Sequence, residues 1–295
     1  MKVSICIPTY NRYKLLLQCL ESINNQTYKN YEVIISNNNS SDETKEIISC
    51  SDYTIYHHDI NLNWYNNWNF CKNKASGDIT VLCHDDDIYH KDYLNEVVSC
   101  FEKHNDVSLI HTSSYHFYDN VSTSIIRKQR VDPYITNCSD YLIECSHNWC
   151  NINCPTVAVR SLIYKNIDFD DKYLSSDYFM WFRILRKGGK ICYINKPLVY
   201  YRQHKSVKSN INNFKAIREY KEMYLRVFED KFSYSMMKSL DKLLTYRIFY
   251  EFRLTKIFNF HYIMEFSRNF FIYGYNFYVS SFFRAIYKKL LRQLH

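Results

Sequence analysis

Glycine is scarce in this 295-residue chain, with four in all, Gly77, Gly188, Gly189 and Gly274. Neither a G-x-x-x-x-G-K-[ST] phosphate loop nor a G-x-G-x-x-G dinucleotide fingerprint fits residues so placed. That excludes a nucleotide site built on a glycine-rich cradle. A divalent cation between carboxylates and phosphates is the chemical substitute. No run of about 18 apolar residues occurs, so no membrane-spanning helix is expected. No secretory signal is recognisable, and the 11 cysteines follow no regular spacing. They read as reduced thiols of a cytoplasmic protein and not as a disulfide scaffold. Cys145, His147, Cys150 and Cys154 lie close together without a C-x-x-C pair, so buried, inert thiols are expected there in preference to zinc.

The chain does have a core: 46% of it is hydrophobic, which fits a globular fold. Its formal charge of +8 is uneven, because residues 205–295 hold 17 of the 38 Lys and Arg but only 7 of the 30 Asp and Glu. The first 204 residues are therefore close to neutral.

Val3 to Ile7 reads as a short apolar strand, and Leu15, Leu16, Cys19, Leu20 and Ile23 recur at helical spacing after it. Tyr31 to Ile35 is a second strand, ending in a Ser-Asn-Asn-Asn-Ser-Ser-Asp loop where Ser40 and Glu43 have the spacing of a capping box. A third strand near Tyr53 to Tyr56, a helix from Trp64 to Lys74 and a strand from Ile79 complete a βαβαβαβ alternation, which implies a mainly parallel sheet. Further on, Lys91 to His104 predicts a helix with Tyr93, Leu94, Val97, Val98 and Phe101 inward, and Val107 to Tyr118 a strand. Residues 119–160 show only a helix near Tyr141 among short strands. Ser175-Ser176-Asp177 opens a helix through Arg186 that Gly188-Gly189 ends, and strands follow at Lys190 to Ile194 and Leu198 to Arg202.

The strand from Ile79 runs into His84-Asp85-Asp86-Asp87. Three consecutive carboxylates repel one another and cannot be buried together without a counter-charge. Oxygen ligands at a buried strand end suit Mg²⁺ or Mn²⁺, and open α/β sheets bind ligands beyond the carboxyl ends of their strands. A solvated acidic turn before the helix at Lys91 is the plain alternative.

These segments, in this order, resemble family 2 nucleotide-sugar glycosyltransferases of the GT-A fold. The likeness rests on Val3 to Arg12 with its Pro8-Thr9-Tyr10-Asn11-Arg12 end, the Ser36–Asp42 loop, Ala75-Ser76-Gly77-Asp78, the His-Asp-Asp-Asp run, Ser176-Asp177 and Tyr201-Arg202-Gln203-His204, and covers about two-thirds of the chain. It implies a Rossmann-like sheet flanked by helices, with a C-terminal α-helical extension, dividing into a catalytic domain at 1–211 and a helical region at 212–295. The implied donor site is Pro8, Thr9, Tyr10, Asn11, Arg12, Asn37, Asn38, Asp85 and Arg202. Thr9 and Tyr10 would border base and ribose, and UDP is the first choice of nucleotide. Asp86 would be the principal ligand of Mn²⁺ or Mg²⁺, with Asp87 and His204 beside it. Asp177 would be the catalytic base. The sequence departs from the family's pattern at Asn37, His84 and Ser176, each standing where an acid is usual.

The implied activity is metal-dependent transfer of a sugar, with inversion, from a nucleotide sugar to a hydroxyl of a glycan or lipid-linked acceptor in surface polysaccharide or glycoconjugate synthesis. A catalytically inactive nucleotide-sugar-binding or scaffold protein of the same fold is the rival reading. The basic, aromatic tail places Tyr220, Met223, Tyr224, Val227 and Phe228 on one stripe, and mixes Arg284, Lys288, Lys289 and Arg292 with Ile286, Leu290 and Leu291. Such helices either lie on an anionic membrane, here the cytoplasmic face, or pack on the domain or on a second copy. Nucleic-acid binding is not expected, since no recognised module accompanies the charge.

Overall fold

The computed structural model describes residues 1–48, 53–127, 133–147, 150–204, 210–227 and 236–244. Along the first 82 residues β1 (Val3–Thr9), α1 (Tyr13–Asn24), β2 (Tyr31–Asn37), α2 (Thr44–Ile48), β3 (Thr54–His57), α3 (Trp64–Asn73) and β4 (Ile79–Leu82) alternate. After these come β5 (Ile88–Tyr89), α4 (Tyr93–Lys103), β6 (Val107–Phe117), β7 (Ile125–Arg127), β8 (Tyr134–Asn137), α5 (Cys138–His147), β9 (Val157–Arg160), α6 (Ser161–Tyr164), α7 (Ser176–Arg186), β10 (Lys190–Arg202) and α8 (Asn210–Val227).

One sheet runs in the order β3-β2-β1-β4-β9-β6-β10-β5, with β7 on β6 and β8 on β10. Its first half is parallel, as the alternation predicts, and the whole is an α/β sheet flanked by helices. The short strand β9 enters antiparallel between β4 and β6, while β6 and β10 are parallel to each other. Every residue of β1 is buried, so its period of two feeds two apolar layers. Val3, Ile5 and Ile7 meet Leu16 and Leu20 of α1 and Val97 and Phe101 of α4, whereas Cys6 faces the layer of α3, α5, α7 and α8.

All five inward positions expected on α4 are buried. In α1, Leu16, Cys19, Leu20 and Ile23 are buried, but Leu15 is only partly covered. The expected capping box at Ser40 and Glu43 is replaced. Ser40 Oγ accepts from Asn11 N–H, and the carboxylate of Asp42 accepts from Tyr13 N–H and Thr44 N–H, so one acid serves the first turns of both α1 and α2. The two strands expected at 190–202 are one strand whose register shifts around Pro197, because proline has no N–H to give the ladder.

The first helix of the C-terminal region, α8, packs on α5 and α7. Tyr220 Oη accepts from Cys150 N–H and donates to the Cys145 carbonyl, and Tyr224 Oη donates to the Leu142 carbonyl. Cys145, Cys150 and Cys154 are buried in this layer while His147 is exposed, and among the described residues the four form no metal cluster. Phe228 and the aromatic, basic stretch from Phe270 to Arg292, on which the membrane and oligomer expectations rest, lie outside the described residues. Among the described residues no helix is long and apolar enough to cross a membrane.

A polar knot locks the N-terminal edge. Glu32 accepts from Lys2, Ser4 and Ser76, and Ser4 Oγ also accepts from Gly77 N–H at 2.8 Å. A Cβ on Gly77 would lie 2.7 Å from the Lys2 carbonyl oxygen, so the turn between α3 and β4 requires glycine. Gly77→Ala is expected to cost about 1–3 kcal/mol in a urea titration. Burial pushes the Glu32 carboxyl up, but the hydrogen bonds from Lys2, Ser4 and Ser76 outweigh it and hold the group at about 2 against an ordinary 4.5. A depressed carboxyl stabilises the fold fully above about 4.5 and loses its contribution as pH falls toward 2. Glu32→Gln is therefore expected to lower Tm at neutral pH and to flatten its dependence on pH between these limits.

Candidate active site

Parallel pairing brings the ends of β1, β2 and β4 to one edge. Thr9 lies in register with Asn37, and Cys83 N–H still reaches the Cys6 carbonyl as the chain leaves β4 for the acidic run. Two loops border this edge. Asn11 (φ 50°) and Asn39 (φ 61°) take left-handed turns that glycine would otherwise supply. Asn11 Oδ1 accepts from Ser41 N–H at 2.7 Å, tying the loops together. Asn37 is fully buried: its Oδ1 accepts from Ser40 N–H, and its Nδ2 faces His57 Nδ1 at 3.1 Å. Asn38 Oδ1 accepts from Leu62 N–H and its Nδ2 donates to Asn61. All three asparagines of the implied donor set thus hold loops in place. Pro8 and Thr9 are buried beside them, and Tyr10 is exposed at the rim.

Asp85, Asp86 and Asp87 are all buried. Arg12 Nη1 bridges the first two, 3.0 Å from Asp85 Oδ1 and 2.6 Å from Asp86 Oδ2, and His204 Nε2 lies 2.7 Å from the same Asp86 oxygen. Asp87 Oδ1 accepts from Arg202 N–H at 2.8 Å. The Arg202 side chain donates to the Asp86 carbonyl and to Gln18 and lies over Phe117, so its fork buttresses the run from behind.

Unequal surroundings separate the three acids. Burial pushes Asp85 up to about 6, with Arg12 opposing. Burial also raises Asp86, but Arg12 first, then His84 and His204, hold it below its ordinary value. Asp87 is raised well above the usual range by burial and by Asp86. Burial lowers His84 to about 4, which leaves its imidazole neutral at pH 7.

Asp177 lies in the first turn of α7, partly buried. Tyr201, at the end of β10, lies within electrostatic range of both Asp87 and Asp177, as does Cys154, so the implied base and the acidic run flank the same two residues. Ser176 is buried and its Oγ accepts from Asp170 N–H, shaping the turn that carries Asp177. Outside the implied set, Gln18, Trp68 and Tyr201 also meet this cluster. Trp68 packs 5.0 Å from the His84 ring, a contact across the fold that no local spacing announces.

The cluster fits a divalent cation. His84, Asp86 and Asp87 each offer a ligand atom, all within 4.8 Å of one another, and Asp87 Oδ2 is buried with no hydrogen-bond partner. Neutral imidazole and ionised carboxylate are suitable donors, and added positive charge would lower both raised carboxyls.

Residues 4–168 match the model of the family described as "Glycosyl transferase family 2". The chain belongs to that family. This glycosyltransferase is 30% identical over 226 residues, 73% of its own length and 82% of the relative's, to the Escherichia coli UDP-Glc:alpha-D-GlcNAc-diphosphoundecaprenol beta-1,3-glucosyltransferase WfaP. In structure it resembles S. aureus TarS bound to UDP-GlcNAc, with a TM-score of 0.68 at 16% identity over 86% of this chain and 76% of that one. It also resembles the mannosyltransferase PcManGT from Pyrobaculum calidifontis with GDP-Man and Mn²⁺, with a TM-score of 0.56 at 13% identity over 97% and 84% of the two chains. At such identities the two structures support the fold, and the family model supports the enzyme class.

Because Asp87 is a buried acid repelled by Asp86, Asp87→Asn is expected to stabilise the glycosyltransferase at neutral pH, raising Tm by about 2–4 °C per kcal/mol relieved. The gain should shrink as pH falls and Asp87 takes up its own proton, which thermal melts across pH would record.

Proposed function

We propose that this glycosyltransferase moves a sugar from UDP to a hydroxyl of a glycan or lipid-linked acceptor, with inversion and with Mn²⁺ or Mg²⁺. The observation that carries the reading is the buried acidic run at the end of β4, where His84, Asp86 and Asp87 each offer a ligand atom within 4.8 Å of one another. UDP-glucose and a diphosphoundecaprenol sugar stand in the name of the relative WfaP, and TarS of the same fold binds UDP-GlcNAc. Both support UDP, and the first supports a lipid-linked acceptor in polysaccharide synthesis.

Asp86 and Asp87 would hold the cation, with His204 beside Asp86 and Arg202 setting the backbone of the run. When bound, the cation neutralises the charge that gathers on the leaving diphosphate. Pro8, Thr9, Tyr10, Asn11 and Arg12 line one side of the donor and the loop of Asn37 and Asn38 the other, with Asp85 toward the ribose. Arg12 would exchange its carboxylates for phosphate oxygens, which its fork matches. Asp177 accepts the proton of the attacking hydroxyl, whose oxygen bonds the anomeric carbon from the side opposite the diphosphate while the bond from that carbon to the diphosphate oxygen breaks, so UDP leaves and configuration inverts. Residues 1–211 form the catalytic unit in this reading. In the same reading residues 212–295 are a second unit, which supports α5 and α7 through α8 and whose residues beyond α8 would meet a membrane at its cytoplasmic face or a second copy.

A non-catalytic binder of the same fold is the second reading, favoured by Asn37, His84 and Ser176 in place of acids. Asp86→Ala is expected to abolish metal-dependent hydrolysis of UDP-sugars, a reaction the binder would not show in the first place. Asp177→Asn is expected to lower transfer about 10²–10⁴-fold while UDP binding by calorimetry stays unchanged. Equal kinetics in wild type and both variants would overturn the assignments.

A further inference from the structure

We propose that His84 is itself a ligand of the cation, the nitrogen donor of a His84–Asp86–Asp87 set, and that it turns the site toward Mn²⁺ and Co²⁺ and away from Mg²⁺. The inference rests on the metal-dependent reading above and adds a residue and a selectivity to it.

His84 leaves β4 with its ring held between aromatic neighbours, 5.0 Å from Trp68 and 6.4 Å from Tyr201, centroid to centroid. Held so, the ring sets its Nδ1 3.4 Å from Asp87 Oδ2. The two make no hydrogen bond. Asp87 Oδ2 is buried with no partner, and so is the second ring nitrogen, Nε2. Buried polar atoms in that state are costly, and a fold keeps them where something completes them. Two ligand atoms at a right angle on metal bonds of about 2.1 Å stand about 3 Å apart, and two opposite ones about 4.2 Å. The separation of 3.4 Å in this pair needs to close by only a few tenths of an ångström to reach the right-angle value, and the 4.8 Å that encloses one donor atom from each of the three residues by about 0.6 Å to reach the opposite one.

His204 is the other imidazole within reach, but its geometry differs. Its Nε2 is 2.7 Å from Asp86 Oδ2, a hydrogen-bond distance, and the residue is exposed at the rim. It orients Asp86 from outside, whereas His84 approaches from within. The identity of the inner donor then has a chemical consequence. Magnesium prefers an all-oxygen octahedron and gives up water reluctantly, while imidazole suits the first-row transition ions. With nitrogen at this position, the site discriminates by ligand type as well as by size.

The test uses the full chain with UDP present and Mn²⁺ as probe. Pulsed electron paramagnetic resonance of bound Mn²⁺ is expected to show modulation from a coordinated imidazole nitrogen, lost in His84→Asn and kept in His204→Asn. Titration of the Mn²⁺ signal, with Mg²⁺ as competitor, is expected to show the ratio of the two affinities falling at least tenfold in His84→Asn, whose amide offers oxygen instead. Circular dichroism would establish that both variants fold. Bound Mn²⁺ with no nitrogen modulation in the wild type, which needs no variant, would overturn the assignment to His84. So would modulation that disappears only in His204→Asn, or an unchanged affinity ratio in His84→Asn, and either would leave a metal-dependent enzyme intact. Failure of the wild type to bind Mn²⁺ at all with UDP would instead overturn the metal-dependent reading and this inference with it.

Discussion

The repulsion among Asp85, Asp86 and Asp87 is the constraint around which the molecule is arranged. Three acids at the end of a buried strand can exist together only where positive charge and hydrogen bonds meet them, and these come from far along the chain. Arg12 arrives from the turn after β1, the backbone of Arg202 from the end of β10, and His204 from just beyond. Parallel pairing of β1 with β2 and β4 is what opens a common edge for that meeting, since all three chains leave the sheet in the same direction. The unequal supply of partners then differentiates chemically identical side chains. Asp86, touched by Arg12 and His204, stays ionised, while Asp87 retains an unpartnered oxygen within the protein.

The second half of the sheet delivers the remaining groups. Insertion of β9 between β4 and β6 sets β6 and β10 alongside the parallel half. The long strand β10 bends where Pro197 breaks its register and carries Tyr201 and Arg202 up to the acids. The helix α7, held in the opposite layer by α5 and α8, carries Asp177 in its first turn, within electrostatic range of Tyr201.

Scarcity of glycine leaves its mark on the loops of the site. Asn11, Asn39 and Asn63 occupy left-handed backbone conformations, and asparagine side chains knit the loops that these turns create. Asparagine tolerates such conformations and offers a donor and an acceptor in place of the bare backbone that glycine would leave. The result is a strand-end edge lined by amides, with Asn37 and Asn38 already engaged in the loops they support. That arrangement suits a nucleotide held chiefly through cation and phosphates, in keeping with the absence of a glycine-rich cradle.

Local pattern was enough to read β1 to β4, α1, α4 and α7, because each buries a face whose period is written in consecutive residues, as in Tyr93 to Phe101. It was enough also to single out the acidic run and Asp177, since adjacent like charges and family-like motifs are properties of the chain itself. The partners of those residues were beyond its reach. Asp42 capping two helices in place of Ser40 and Glu43, the four-residue β9, the single bent β10, the Trp68 ring beside His84 and the Arg12 bridge all join positions remote in sequence. Sequence alone therefore determined which residues carry charge and which faces are apolar. Only the tertiary structure decided which of those charges meet and which carboxylate oxygen is left without a hydrogen bond, because burial and hydrogen bonding depend on what the whole fold brings together.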